Sequence, residues 1–254
     1  MLLAIDIGNT NITLGLYEGE RLGPRWRIRT IHDRMPDEYG VLLDNLFRHR
    51  GFRLEQVTGV VIASVVPPLT PVFEQVCQEY VGQPALVVNA EVETGVRIRY
   101  DNPHEVGADR VVDAAAVQAL YTTPACVVDF GTATTFDAIS AEGDYLGGAI
   151  APGIGIAAQA LFERTAKLPR VELVRPPSAI GRNTVHSMQA GLLFGYVGLV
   201  EGVVARFKAE LGPETCVVAT GGLAELISRE TDVIDVVDPW LTLHGLRLIY
   251  GLNS

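Results

Sequence analysis

The apolar positions of this chain follow two rhythms. Short apolar runs bounded by Gly, Pro, Asn or Asp read as strands, and longer stretches with apolar residues three and four apart read as helices. The runs LLAIDIG (2–8), NITLGLYEG (11–19) and PRWRIRT (24–30) predict three strands in an antiparallel meander. Pro36, Asp37 and Glu38 predict the first turn of a helix reaching about Arg50, with Leu42, Leu43, Leu46 and Phe47 on its apolar face. A buried strand VTGVVIASVV (57–66) stops at Pro67 and Pro68, and is followed by a helix over TPVFEQVCQEYV (70–81) and a strand ALVVNA (85–90).

A helical pattern from Pro103 to about Tyr121 leads into a second round of the same scheme. ACVVDFGT (125–132), TTFDAIS (134–140) and YLGGAIAPG (145–153) predict three strands. Helices follow around 154–166 and 184–211, then a strand TCVVATGG (215–222), a helix from near Leu223, a strand VIDVVD (233–238) and a last helix from about Leu241. The expected fold class is α/β, with two domains of duplicated plan, 1–118 and 119–254. Each has three antiparallel strands and then alternating helices and strands. No Gly/Ser/Pro-rich linker separates them, so a helix is expected to join them.

The duplication is sharpest at two turns. AIDIGNTNITLG (4–15) and VVDFGTATTFDAI (127–139) carry the same Asp-x-Gly step, 123 residues apart in a chain of 254. Glycines at such turns can take positive φ and let a ligand approach the backbone, and the tip offers NH groups and hydroxyls suited to phosphate oxygens. An Asp at the strand end can hold a cation directly or through water. A single copy is ordinary turn chemistry; two copies at matching positions point to a polyphosphate gripped from both sides.

Composition constrains how such a phosphate is held. A net charge of −10 argues against nucleic acid or an anionic membrane as partner, and implies that phosphates are bound by backbone NH groups, hydroxyls and a metal, with few basic side chains. Cys77, Cys126 and Cys216 lie far apart in apolar runs and read as core thiols of a cytosolic protein. The start MLLAIDIG has no basic stretch and does not read as a signal peptide. The segment 188–207 is the most membrane-like, but Gln189, Glu201, Arg206 and four glycines favour a buried helix with close contacts. The five histidines have no metal-site spacing, and Trp26 and Trp240 read as core residues.

DIGNTN, DFGTATT and the later Thr220-Gly221-Gly222 resemble the phosphate and adenosine signatures of the sugar kinase, heat-shock chaperone and actin superfamily. Within it, AIDIGNTN, YDNPHEVGADR, VVDFGTATTFD, GGAIAPG and GRNT together resemble the type III pantothenate kinases, in the expected order from Ala4 to Gly222. The resemblance implies two ribonuclease H-like domains with a nucleotide cleft between them. It implies transfer of the γ-phosphoryl group of ATP, with Mg²⁺, to the primary hydroxyl of pantothenate. It assigns the first phosphate loop to Asp6, Ile7, Gly8, Asn9, Thr10, Asn11, Ile12 and Thr13, with Asp6 near the metal. Thr132 would touch ATP from the second loop, and Gly221 and Gly222 would lie against the adenosine. Asp129 would hold a monovalent cation, K⁺ or NH₄⁺. Tyr100, Gly107, Ala108, Asp109, Arg110 and Thr184 would contact pantothenate, with Asp109 as the base. It also implies a cytoplasmic homodimer with the pantothenate pocket closed partly by the partner, and the glycine-rich helix at 188–205 is the candidate interface.

The residue chemistry fits these roles and leaves plainer ones open. Asp109 sits at a predicted helix N-terminus, which lowers a carboxyl pKa, while Asp129 and the phosphates would raise it. Arg110 suits the carboxylate of pantothenate, yet Asp109–Arg110 also reads as an exposed ion pair. Thr184 also reads as a helix cap, and Tyr100 as a half-buried strand tyrosine. Two rival functions remain. Gly153-x-Gly155-x-x-Ala158, with Glu172 further on, has the form of a dinucleotide fingerprint, but it follows an antiparallel meander where a βαβ unit is required. Its glycines suit close packing of a helix beside the nucleotide site. The other rival is a non-catalytic accessory factor for gene expression on the same fold, against which the intact acceptor residues argue.

Overall fold

The computed structural model describes residues 1–254. The strands are β1 (Leu2–Ile7), β2 (Asn11–Glu18), β3 (Arg21–Arg29), β4 (Gly59–Ser64), β5 (Ala85–Val87), β6 (Ala125–Phe130), β7 (Ala133–Ile139), β8 (Tyr145–Pro152), β9 (Cys216–Gly221) and β10 (Val236–Val237). The helices are α1 (Pro36–His49), α2 (Thr70–Val76), α3 (Ala108–Leu120), α4 (Ile154–Arg164), α5 (Thr184–Leu211), α6 (Ala224–Ser228) and α7 (Leu241–Leu252). The alternation read from the sequence is present throughout. One predicted helix is broken: 103–121 becomes a short 3₁₀ turn at Pro103–Glu105 and then α3, because Val106 is extended ahead of Gly107.

The chain divides into two compact units. The first comprises Met1–Val96, Asp101–Ala116 and Leu241–Ser254, and the second Arg97–Tyr100 and Val117–Trp240. The main division falls inside α3, between Ala116 and Val117. A single cut is not what the structure has, however. The sequence reading gave Leu241–Ser254 to the second domain, but α7 packs on β1 and β4, because its apolar stripe of Leu243, Leu246 and Ile249 is buried in the first unit.

In the first unit the sheet order is β3-β2-β1-β4-β5, and in the second it is β10-β9-β6-β7-β8. Each unit has a central strand with an antiparallel neighbour on one side (β1 with β2, β6 with β7) and a parallel neighbour on the other (β1 with β4, β6 with β9). The duplication legible in two turns therefore extends to both sheets. Strand alternation sorts the faces of the first sheet. Leu3, Ile5, Ile7, Ile12, Leu14 and Trp26 enter a core with Tyr39, Phe47 and Phe73 from α1 and α2. Asp6, Thr13 and Gly15 fall on the opposite face, where Gly15 lies against Leu243 of α7. In the second unit, Val128, Phe136 and Val217 pack against Leu193, Tyr196 and Val200 of α5.

Cys77 and Cys126 are buried core thiols, whereas Cys216, also read as a core thiol, is only half-buried. Burial pushes the thiols of Cys77 and Cys126 up to about 12, which makes both inert as nucleophiles at neutral pH. Trp26 is buried and stacks on Phe47, whereas Trp240 is only half-buried. By length and composition α5 could cross a membrane, but half of its apolar window is buried within the protein.

Candidate active site

The first Asp-x-Gly turn closes β1 onto β2. Ile7 pairs with Ile12, and residues 8–11 form a four-residue tip in which Gly8 N donates to Asn11 O at 3.0 Å. Asn9, Thr10 and Asn11 are exposed. The end of β3 underpins this tip: the Thr30 hydroxyl donates to Gly8 O at 2.6 Å and Thr30 N to Thr10 O at 3.0 Å. Asp6 stands at the end of the central strand, flanked by Thr13 on β2 and Ala63 on β4.

The second turn repeats this arrangement with one residue fewer. Phe130 pairs with Thr134 around a three-residue tip, and Asp129 is flanked by Thr135 on β7 and Thr220 on β9. Glycine could take positive φ at Gly8 and Gly131, and neither adopts it. Both instead sit in close quarters. A Cβ on Gly8 would stand 3.0 Å from Asn11 O, and one on Gly131 would stand 3.1 Å from Asp129 Oδ2. The residue that does require the left-handed region is Gly221, at φ 89°, where a Cβ would strike Asp129 Oδ1 and the Phe130 backbone. Gly222 follows in the turn before α6 and is exposed. Gly153, at the start of α4, packs directly on the second tip: its N donates to Thr132 O at 3.1 Å, and a Cβ would collide with that oxygen. Gly153 of the dinucleotide-like pattern thus serves as packing while Gly155 faces open space, and the strand before them, β8, is antiparallel to β7.

The acceptor motif lies beside the first tip within its own unit. Val65 links the two: its N donates to Ile7 O at 3.1 Å, and its side chain lies 3.6 Å from where a Cβ on Gly107 would be. That same Cβ would stand 2.6 Å from Asp109 Oδ1, so glycine leaves the room that the carboxylate occupies. Asp109, the second residue of α3, accepts from Arg110 N at 2.8 Å. Burial raises its pKa above the ordinary carboxylate value. The Arg110 amide and guanidinium oppose this without cancelling it, so desolvation outweighs the helix terminus.

Tyr100 belongs to a segment that docks on the edge strand β8 of the second unit. Arg99 N donates to Tyr145 O at 2.7 Å, Tyr145 N donates to Arg97 O at 2.9 Å, and Asp144 pairs with the guanidinium groups of Arg97 and Arg99. The Tyr100 ring covers Gly147, where a Cβ would stand 3.2 Å away, and its centroid lies 6.3 Å from that of Tyr145. The Tyr145 hydroxyl donates at 2.9 Å to Asp137, a carboxylate that is 1% exposed. The sequence reading missed this pair, although an Asp amid the apolar pattern of TTFDAIS was the available signal. Thr184 is exposed at the first turn of α5, but the cap is Asn183, whose side chain accepts from His186 N at 2.9 Å. The first unit therefore joins Asp6, the tip 8–11 and Gly107–Arg110. The second joins Asp129, Gly131, Thr132, Gly153 and Gly221, with Tyr100 two strands away on β8 and Thr184 off the sheet.

No group of three or more His, Cys, Asp or Glu side chains is placed to hold a metal ion unaided. Lone carboxylates at strand ends, beside tips rich in NH and hydroxyl groups, suit Mg²⁺ held largely by phosphate and water.

Two α/β units of the same plan, each presenting an Asp-x-Gly hairpin at the end of its central strand, have the two-domain fold shared by actin-like ATPases and sugar kinases. Solved structures agree on the fold. A polyphosphate/ATP-glucomannokinase from Arthrobacter sp. strain KM is similar with a TM-score of 0.50 at 16% identity, over 100% of this chain and 99% of that one. A Campylobacter jejuni protein assigned to the Baf family of transcriptional activators is similar with a TM-score of 0.60 at 20% identity, over 99% and 98%. The particular family is set by sequence: residues 2–206 match the type III pantothenate kinases. The type III pantothenate kinase of Moorella thermoacetica is 57% identical over 254 residues, the full length of both chains. This chain belongs to the type III pantothenate kinase family.

Proposed function

We propose that the protein transfers the γ-phosphoryl group of ATP to the primary hydroxyl of pantothenate, giving 4′-phosphopantothenate, the first step towards coenzyme A. Family membership supplies the reaction. The structural observation that supports it most is the Asp109 carboxyl, which burial makes more basic than an ordinary aspartate and which lies beside the first Asp-x-Gly tip. In phosphoryl transfer the protein chiefly positions reactants and stabilises charge. Asp109 accepts the proton of the acceptor hydroxyl, a role that contributes about 10²–10⁴-fold. Asp6 through Thr13 and Thr132 receive the phosphates of ATP, and Gly221 and Gly222 the adenosine. Tyr100, Gly107, Ala108, Arg110 and Thr184 bind pantothenate, Arg110 through its carboxylate. Mg²⁺, when bound, neutralises phosphate charge beside Asp6, and Asp129 holds K⁺ or NH₄⁺. The matching strand orders, β3-β2-β1-β4-β5 and β8-β7-β6-β9-β10, support two ribonuclease H-like units, the first carrying Gly107–Arg110 and the second the second phosphate loop.

The protein acts as a cytoplasmic homodimer. Gly191, Gly195 and Gly198 lie exposed along one face of α5 with open space before them, while Leu192, Leu193, Tyr196, Val197 and Val200 bury the other. Such a face lets a second backbone approach closely, which supports α5 as the dimer contact. A non-catalytic factor is the second reading, favoured only by a fold shared with the Campylobacter jejuni protein. The test is ADP release from Mg-ATP with and without pantothenate, in potassium and in sodium. Pantothenate-dependent, potassium-dependent turnover is the expected result. ATP binding without such turnover would favour the factor.

A further inference from the structure

The net charge of −10 led to the expectation of few basic groups at the phosphates, yet β3 holds four arginines in nine residues, Arg21, Arg25, Arg27 and Arg29. Their placement is specific. Trp26 and Ile28 point into the core shared with α1 and α2, so Arg25, Arg27 and Arg29 point to the other face, the one that carries Asp6 and Thr13. The sheet register sets Arg27 opposite Thr13, and Thr13 opposite Asp6, in one row across three strands. Directly opposed residues are about 4.5–5.5 Å apart at Cβ, so Arg27 starts about 10 Å from Asp6 with Thr13 between them. Arg29 lies one step nearer the tip, opposite Asn11, and Arg25 one step back, opposite Gly15.

The row is tied to the tip itself, since Thr30 holds Gly8 O and Thr10 O from the end of this strand. Arg27 is exposed and enters none of the ion pairs or side-chain hydrogen bonds of the chain. An arginine fixed on a strand and left without a carboxylate partner is a fork of donors open to a dianionic oxygen cluster.

We infer that Arg27 is a phosphate-binding residue of the first loop. It contacts the polyphosphate of a nucleoside triphosphate on the β3 side and supplies a fixed positive charge in register with Thr13 and Asp6. This rests on the assignment of residues 6–13 to the phosphates made above. The test is calorimetric titration of ATP with Mg²⁺, without pantothenate, into the wild-type protein and into Arg27→Gln, Arg27→Lys and Arg25→Gln. Arg27→Gln weakens ATP binding about tenfold or more, the size expected for a lost charge-assisted hydrogen bond. Arg27→Lys recovers part of the loss, Arg25→Gln binds as wild type, and melting temperatures do not move. Unchanged affinity in Arg27→Gln overturns the inference, as does an equal loss in Arg25→Gln, which would mark a diffuse charge effect. Wild-type protein that fails to bind ATP sinks the loop assignment and this inference together. Absence of pantothenate turnover sinks only the proposed reaction, because no acceptor is used here.

Discussion

Gly221 lies against the carboxylate of Asp129, at φ 89°, with no room for a β-carbon between its Cα and Oδ1. The glycine from the end of β9 and the aspartate from the end of β6 are adjacent because the two strands run parallel, with Phe130 opposite Gly221. Gly221→Ala must therefore adopt a strained backbone and displace the carboxylate. Urea denaturation is expected to show a loss of about 1–3 kcal/mol. If Asp129 holds the monovalent cation, the potassium concentration for half-maximal activity rises as well. A variant with wild-type stability would contradict the packing.

Asp109→Asn separates catalysis from stability. Activity falls by about 10²–10⁴-fold if the carboxylate is the base. The sign of the stability change follows from the raised pKa. A carboxyl whose folded pKa exceeds its unfolded value binds more protons when folded, so stability declines as pH rises from the unfolded to the folded pKa and stays lower above it. Removing the charge is expected to raise the melting temperature at neutral pH, with little difference from wild type below pH 3.8, the ordinary value. The same shift places the acid limb of kcat/KM above that value, and an acid limb at or below it would contradict the assignment.

Gly153 and Gly155 have opposite expectations although they share one motif. Gly153→Ala collides with the carbonyl oxygens of Gly131 and Thr132, so it moves the second tip and raises the KM for ATP. Gly155→Ala enters open space early in α4, and is expected to stabilise by about 0.4–1 kcal/mol without kinetic effect. Steady-state kinetics and thermal melts on the pair check both.

Tyr145→Phe removes the hydroxyl that reaches buried Asp137 and keeps the ring beside Tyr100. A buried acceptor losing a donor costs about 1–3 kcal/mol. Stability measured in urea falls accordingly, while the KM for pantothenate is retained because the ring still supports Tyr100. A raised KM with unchanged stability would reverse these roles.

Much of this architecture was legible in the order of residues, because the determinants are local. The short apolar runs of LLAIDI and ACVVDF, bounded by Asp-Ile-Gly and Asp-Phe-Gly turn steps, read as buried strands, and they are β1 and β6. Pro36 starts α1, and α5 runs over Thr184–Leu211 as its pattern predicts. The motifs that identify the family are short and contiguous, so no folding was needed to read them. What was misread depended on partners distant in sequence. Gly8 and Gly131 read as able to take positive φ, whereas the strain sits at Gly221, whose neighbour Asp129 is 92 residues earlier. The cap expected at Thr184 falls on Asn183, which only the first-turn geometry distinguishes.

The sequence alone determined the strand and helix alternation, the duplication around Asp6 and Asp129, and the chemistry of the residues at the turns, because each is encoded within a few neighbouring positions. Only the tertiary structure decided that α7 returns to the first unit, that Val65 sets Gly107 beside the first tip, and that burial makes Asp109 more basic despite its helix terminus. It alone placed Arg27 in register with Thr13 and Asp6. The physical reason is common to all four. Strand register and desolvation are properties of surfaces brought together by the fold, and no single segment carries them.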